Sequence, residues 1–87
     1  MDAHAEKCRR LSEHAFELAR DLLDADQAKE ISEFIYKYNE WGMGLETLVD
    51  VLLEDNIAVS SDQKKAIMVA MREMGLDRNQ TLLIVSG

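Results

Sequence analysis

The chain has 87 residues, the size of one small domain, and its content of 47% apolar and 31% charged residues excludes a disordered chain. The formal net charge of −7 disfavours nucleic acids and anionic membranes as partners, because both would repel the protein. The single cysteine excludes an internal disulfide, and the absence of proline favours uninterrupted helices.

The N-terminal sequence and the hydropathy of the chain predict where the protein works. Residues 1–7 lack the basic start and the following apolar run of a secretory signal. No apolar run approaches the roughly 20 residues that a membrane-spanning helix needs. We therefore expect a cytoplasmic protein that does not enter a membrane.

Apolar residues at helical spacing predict two helices in the first half of the chain, over residues 3–23 and 26–38. Either Asp24 or Asp26 can cap the second of them. The apolar stripe of the first helix consists of Cys8, Leu11, Ala15, Leu18 and Leu22. The stripe of the second helix consists of Ile31, Phe34, Ile35 and Tyr38.

Two more helices are predicted over residues 43–55 and 61–74. Gly42 and Gly44 disfavour helix by about 1 kcal/mol each, so the third helix is expected to begin near Met43. Ser60 and Gln63 form a capping-box pattern in front of the fourth helix. The inward residues of these two helices are Leu45, Leu48, Val49, Leu52, Ile67, Ala70, Met71 and Met74.

These elements predict an all-α fold, a compact bundle of four short helices that forms a single domain over residues 1–87. A short C-terminal extension, residues 77–87, either packs against the bundle or forms a short fifth helix. In the connector before the fourth helix, Ile57 and Val59 are expected to close one end of the core. The side chains expected to be buried are Leu18, Leu22, Phe34, Ile35, Leu48, Leu52, Ile67 and Met71.

The negative charge is concentrated in the middle of the chain. Residues 1–23 hold four basic and five acidic groups, a net charge of −1, and residues 60–87 hold four basic and three acidic groups, a net charge of +1. Residues 24–59 hold two lysines against nine carboxylates, which gives −7, the whole excess of the protein. On the third helix, Glu46, Asp50 and Glu54 follow one another at i, i+4 and i+8 on the outward edge.

Two interpretations of this acidic region remain open. It is either a solvated face that keeps the protein soluble or a docking surface for a basic partner, with aromatic anchors beside the carboxylates. Tyr36 flanks the outward face of the second helix, and Trp41 lies in the glycine turn that follows. The docking interpretation predicts partner contacts at Glu33, Tyr36, Glu40, Trp41, Glu46, Asp50 and Glu54.

The residue types of common catalytic and cofactor sites occur without the spacing that such sites require. A calcium loop beginning at Asp24 would have Lys29 in place of the required glycine and Ile35 in place of the bidentate glutamate. His4 and Cys8 lie one helical turn apart, but no further metal ligand accompanies them. We therefore expect no enzymatic activity, no catalytic residues, no metal, no cofactor and no small-molecule ligand.

A pattern in residues 33–77 resembles a known family. It combines Glu40-Trp41-Gly42-Met43-Gly44, then Leu45-Glu46-Thr47-Leu48-Val49-Asp50-Val51-Leu52, and finally Met74-Gly75-Leu76-Asp77. The pattern is similar to that of small helical immunity proteins of bacterial polymorphic toxin systems, above all the MafI-like group and the proteins that guard contact-dependent growth inhibition toxins. Gly44 departs from the pattern, since alanine is more usual there.

The resemblance implies a cytoplasmic toxin inhibitor that binds and blocks the C-terminal domain of a cognate toxin, often a basic nuclease. An alternative function is that of a small acidic adaptor or regulatory protein, which binds a partner helix through a methionine-rich groove on the last helix. Location separates the two hypotheses, because the inhibitor uses residues 26–54 and the adaptor uses residues 68–85.

Overall fold

The computed structural model describes residues 2–76, which form an all-α bundle as predicted. A 3₁₀ turn, Arg20–Leu22, extends the first helix, and a π-helical segment, Glu33–Lys37, extends the second. The four α-helices are α1 (Ala3–Ala19), α2 (Ala25–Ser32), α3 (Trp41–Glu54) and α4 (Ser61–Glu73). None of the helices in this described part is long and apolar enough to cross a membrane. The C-terminal extension predicted for residues 77–87 lies outside the described residues.

Side-chain caps fix where α1, α2 and α4 begin. Asp24 rather than Asp26 caps α2, and Gln27 reaches back to the Asp24 backbone to complete a capping box. The capping box predicted for Ser60 and Gln63 at the start of α4 is confirmed. Each box satisfies backbone N–H groups that a helix start otherwise leaves without a partner.

The boundary between the second and third helices differs from the prediction. The backbone leaves the α-helical pattern after Ser32, and the Tyr38 N–H donates to the Glu33 carbonyl five residues back, at 3.0 Å. The third helix then begins at Trp41, two residues earlier than predicted, so it contains both glycines. Close packing explains why a residue of low helix propensity lies inside α3. A Cβ on Gly44 would lie 2.7 Å from Cγ1 of the buried Ile35.

Two helix pairs of the bundle run antiparallel, α2 with α3 and α1 with α4. The Gln27 side chain at the start of α2 donates a 3.1 Å hydrogen bond to Asp55 at the end of α3. The Gln63 side chain at the start of α4 donates a 2.8 Å hydrogen bond to the Leu18 carbonyl near the end of α1. The acidic α3 and the more basic α4 thus belong to different helix pairs of one bundle.

The core confirms most of the predicted apolar residues but not the stripe of α1. Ile35, Leu48, Leu52, Ile67 and Met71 are buried, and Val59 closes one end of the core beside the half-buried Ile57. The predictions for Leu22 and Phe34 were wrong, because both are only half-buried.

The largest error in the predicted core concerns Leu18, which is 38% exposed. Leu11 and Leu18 lie to one side of the buried face of α1, toward α4, where both line a surface groove. Leu11 and Leu18 are separated from the buried Ala15 by helical spacing, although they lie on a different surface of α1. The spacing alone therefore predicts one apolar stripe where the structure has two apolar surfaces. The buried face itself consists of Cys8, Ser12, Ala15, Phe16 and Ala19.

Candidate partner-binding surface

The outward edge of α3 carries carboxylates and no positive charge. The helix Trp41–Glu54 contains no lysine, arginine or histidine. Asp50 and Glu54 are exposed, whereas Glu46 is half-buried. Like charges at i, i+4 spacing cost a helix a few tenths of a kcal/mol per pair, about as much as an opposite-charge pair gains. Within α3 itself no basic side chain offsets that cost.

The segment before α3 adds two predicted contact residues to this region. Glu33, in the π-helical segment, lies 3.8 Å from the Lys37 ammonium one turn later, so part of its charge is already compensated. Glu40 is exposed, and its backbone N–H donates a 2.7 Å hydrogen bond to the Phe34 carbonyl, which fixes the turn into α3. We name the five predicted carboxylates together the acidic surface: Glu33, Glu40, Glu46, Asp50 and Glu54.

Tyr36, predicted as an aromatic anchor, is tied to α1. Its hydroxyl donates a 2.7 Å hydrogen bond to the Glu17 carboxylate, and its ring meets Phe16 edge to face, with ring centroids 6.2 Å apart. Partial burial, and then the hydrogen bond to the Glu17 carboxylate, raise the pKa of Tyr36 to about 12. The residue remains 45% exposed, so Tyr36 can offer contact area to a partner, while its hydroxyl is already used within the chain.

Arg20 completes this contact between α1 and the π-helical segment. Its guanidinium forms a 3.1 Å ion pair with Glu17 and lies 5.1 Å from the centre of the Phe16 ring. Glu17 therefore holds the Tyr36 hydroxyl and the Arg20 guanidinium together. The cluster positions the π-helical segment against α1.

Trp41, the second predicted anchor, is the first residue of α3 and packs against the core. It is half-buried, and its indole Nε1 is buried without a hydrogen-bond partner among residues 2–76. Much of the Trp41 ring thus supports the fold, which limits the area left for a partner.

Two exposed residues beside Glu40 were missed by the sequence pattern. Tyr38 is 54% exposed, with the Lys37 ammonium 5.3 Å from its ring centre, and Met43 is 53% exposed. The π-helical segment accounts for Tyr38: one extra residue in a turn rotates the following side chains by about 100°, out of the apolar stripe. Met43 lies seven residues before Asp50 on the same outward edge of α3, so helical spacing within the predicted helix could have identified it.

His4 and Cys8 lie where α1 meets the end of α4. The His4 Nε2 atom is 3.8 Å from the Cys8 sulfur, 3.2 Å from the Glu73 carbonyl oxygen and 3.6 Å from its carboxylate. Burial, together with the negative charges of Glu73 and Asp2, raises the pKa of the Cys8 thiol. Among residues 2–76 no three histidine, cysteine or carboxylate side chains are grouped so that they could hold a metal ion.

The three methionines of α4 and its C-terminal end do not share one surface. Met71 is buried in the core, and Met74 is half-buried, with its sulfur 3.7 Å from the Ser12 hydroxyl that donates to it. Met68 is half-buried and lines a shallow depression on the outside of the helix. The methionine-rich groove of the adaptor hypothesis therefore reduces to Met68 among the described residues.

Comparison of the chain with models of protein families, with curated proteins and with solved structures found no match.

Proposed function

We propose that this protein is an immunity protein, which binds a cognate antibacterial toxin domain in the bacterial cytoplasm and blocks it without any enzymatic activity of its own. The observation that carries the proposal is the segregation of charge. Residues 24–59 account for a net charge of −7, and α3 exposes Asp50 and Glu54 with no basic residue in the same helix. The resemblance of residues 33–77 to the immunity proteins supports the same function.

The charge of this surface fits a partner that binds nucleic acid. A nuclease cleft is positively charged because it must attract phosphates, so an acidic inhibitor is drawn to the same place. Complementary charge raises the rate of association and disfavours wrong partners. A basic nuclease domain is therefore the toxin class that we propose.

Exposed apolar side chains supply the contact area that carboxylates cannot. Interfaces of standard size bury about 800 Å² on each partner, and a few apolar or aromatic residues carry most of the binding energy. Tyr36, Tyr38 and Met43 are exposed beside Glu40, where α2 and its π-helical extension lead into α3. We propose that these residues, together with the exposed part of Trp41, are the anchors and that the acidic surface steers the approach.

Co-expression with a toxin domain tests the proposal. A candidate toxin domain is expressed with this protein in bacteria, and both survival and co-purification are measured. We expect survival only when the immunity protein is present, and a stable complex of the two proteins. Survival without a complex, or a complex without survival, would contradict inhibition by direct binding.

A further inference from the structure

Four side chains near the end of α1 form a closed cycle of contacts, which we name the Glu17 cluster. The Glu17 carboxylate accepts a hydrogen bond from the Tyr36 hydroxyl through Oε2, at 2.7 Å, and one from Arg20 through Oε1, at 3.1 Å. The Arg20 guanidinium lies 5.1 Å from the centre of the Phe16 ring, and the Tyr36 ring meets Phe16 edge to face. Both oxygens of Glu17 are therefore used to connect α1 with the π-helical segment.

Two neighbouring residues hold the π-helical segment on different sides. Ile35 is fully buried in the core, and the next residue, Tyr36, contacts α1 through the Glu17 cluster. Adjacent residues project about a quarter of a turn apart around a helix axis, so the two contacts together oppose rotation of the segment about its axis. The contact of Tyr36 with α1 thus helps to fix the direction in which Tyr38 points.

The sequence of this segment also fits a competing arrangement, in which Tyr38 belongs to the apolar stripe. A regular α-helix would place Tyr38 on the same face as the buried Ile31 and Ile35, seven and three residues earlier. In the structure the Tyr38 N–H instead donates to the Glu33 carbonyl, five residues back, and Tyr38 is 54% exposed. Because burial of an aromatic side chain is favourable, other contacts of the segment have to support the exposed position of Tyr38.

From these contacts we infer that Glu17 is a positioning residue for the proposed toxin-binding surface, since it holds Tyr36 and thereby keeps Tyr38 exposed as an anchor. This inference rests on the proposed function. Glu17 lies on α1, outside residues 26–54, where the inhibitor hypothesis places the contacts. Its carboxylate is engaged by Tyr36 and Arg20, so its effect on the toxin passes through Tyr36 and not through a contact of its own.

The hydrogen bond distinguishes this role from that of one more steering carboxylate. Glu17→Gln removes the charge but keeps a carbonyl oxygen that accepts from the Tyr36 hydroxyl, whereas Glu17→Ala removes both. A positioning role therefore predicts that Glu17→Gln retains the wild-type properties that Glu17→Ala loses. A steering role predicts instead that the two variants are equally impaired in binding.

The first measurement uses the full chain without a toxin. The chain has two tyrosines, so the ring signals of isotope-labelled tyrosine are assigned with Tyr36→Phe. Broadening of the Tyr38 signal by a soluble gadolinium chelate measures the accessibility of its ring. We expect Glu17→Ala to reduce this broadening about twofold, because the segment gains the regular helix that buries Tyr38. We expect Glu17→Gln to stay near the wild-type value, as should the control Asp21→Ala, which removes an exposed carboxylate four residues further along.

The second measurement is the dissociation rate of the candidate toxin domain in surface plasmon resonance. Glu17→Ala is expected to speed dissociation roughly tenfold, because the anchor Tyr38 is no longer held on the surface. Glu17→Gln and Asp21→Ala are expected to dissociate like the wild type. Glu17 and Asp21 are both exposed, so unfolding curves will show that the variants fold.

Three results would overturn the inference. The first is a Tyr38 ring that is equally accessible in the wild type and in Glu17→Ala. The second is wild-type dissociation of the toxin domain from Glu17→Ala despite a changed accessibility of Tyr38. The third is a Glu17→Gln variant that matches Glu17→Ala in both measurements, because the lost charge would then be responsible. A wild-type protein that binds no candidate toxin domain contradicts the proposed function instead, and the accessibility of Tyr38 alone then decides whether Glu17 holds the segment.

Discussion

The Tyr36 hydroxyl donates a 2.7 Å hydrogen bond to the Glu17 carboxylate, and this contact joins the π-helical segment to α1. It lies beside the edge-to-face contact of Tyr36 with Phe16, a fully buried core residue. Tyr36 thus contributes one polar and one aromatic contact that hold the segment leading into the acidic α3 against α1.

Tyr36→Phe is expected to lower the free energy of unfolding at neutral pH by about 0.5–1.5 kcal/mol, because it removes a hydrogen bond and keeps the ring. The pKa of Tyr36 is raised from 10.0 to about 12 in the folded protein. The protonated hydroxyl therefore stabilises the fold fully below pH 10, and this stabilisation is lost as the pH rises through about 12. The difference between wild type and variant should therefore shrink over that range in urea unfolding curves. Tyr38→Phe is the control, and a pH-independent difference for Tyr36→Phe would contradict the role of the hydroxyl.

The same substitution at two leucines tests the observed core. Leu48 is fully buried, and we expect Leu48→Ala to cost about 2–5 kcal/mol of unfolding free energy because it leaves a cavity. Leu18 is the exposed counterpart on α1, and Leu18→Ala is expected to cost less than about 1 kcal/mol. Chemical unfolding of both variants measures the contrast. Equal losses would mean that Leu18 belongs to the core after all.

Gly44→Ala is expected to destabilise the protein by about 1–3 kcal/mol, although alanine favours helix, because the added Cβ would lie 2.7 Å from Cγ1 of the buried Ile35. Gly42→Ala is the matched control two residues away. Its Cβ would meet only the end of the Leu76 side chain, at 3.1 Å, which can move aside. Thermal unfolding of the two variants should therefore give clearly different midpoints, and equal midpoints would refute the close approach of α3 to Ile35.

Charge reversal tests whether the acidic surface steers the toxin. The double variant Asp50→Lys with Glu54→Lys changes the net charge from −7 to −3, and it should slow association with the toxin domain, an effect that added salt should reproduce in the wild type. The control is Asp21→Lys with Asp62→Lys, which gives the same net charge from exposed positions outside the surface. Stopped-flow association rates compare the two. Equal slowing by both variants would attribute the effect to net charge alone.

The anchors can be separated from the fold by comparing Trp41 with Tyr38. Trp41 packs against the core, so Trp41→Ala is expected to lower stability by about 2–4 kcal/mol as well as to speed dissociation of the toxin. Tyr38 is exposed, and Tyr38→Ala should speed dissociation with a stability change below about 1 kcal/mol. Surface plasmon resonance and unfolding curves measure the two effects. Unchanged dissociation in Tyr38→Ala would place the contact elsewhere.

Local sequence by itself determined the helical class, the number of α-helices and the cap of α4 over the described residues. Hydrogen bonds of a cap join residues three positions apart, so Ser60 and Gln63 could be identified without any knowledge of the rest of the chain. The concentration of carboxylates in residues 24–59 is likewise a property of composition. Leu48 and Leu52 were predictable as core residues because α3 has a single apolar face, apart from its exposed Met43.

Only the tertiary structure decided how each helix is rotated and where its pattern breaks. Leu18 and Phe16 are both apolar, and packing of α1 against its neighbours, not the periodicity of α1, buries Phe16 and exposes Leu18. The π-helical turn moved Tyr38 to the surface, and the close approach of Ile35 leaves no room for a Cβ at Gly44. These outcomes depend on pairs of residues on different helices, and a periodic pattern within one helix carries no information about its partner's shape.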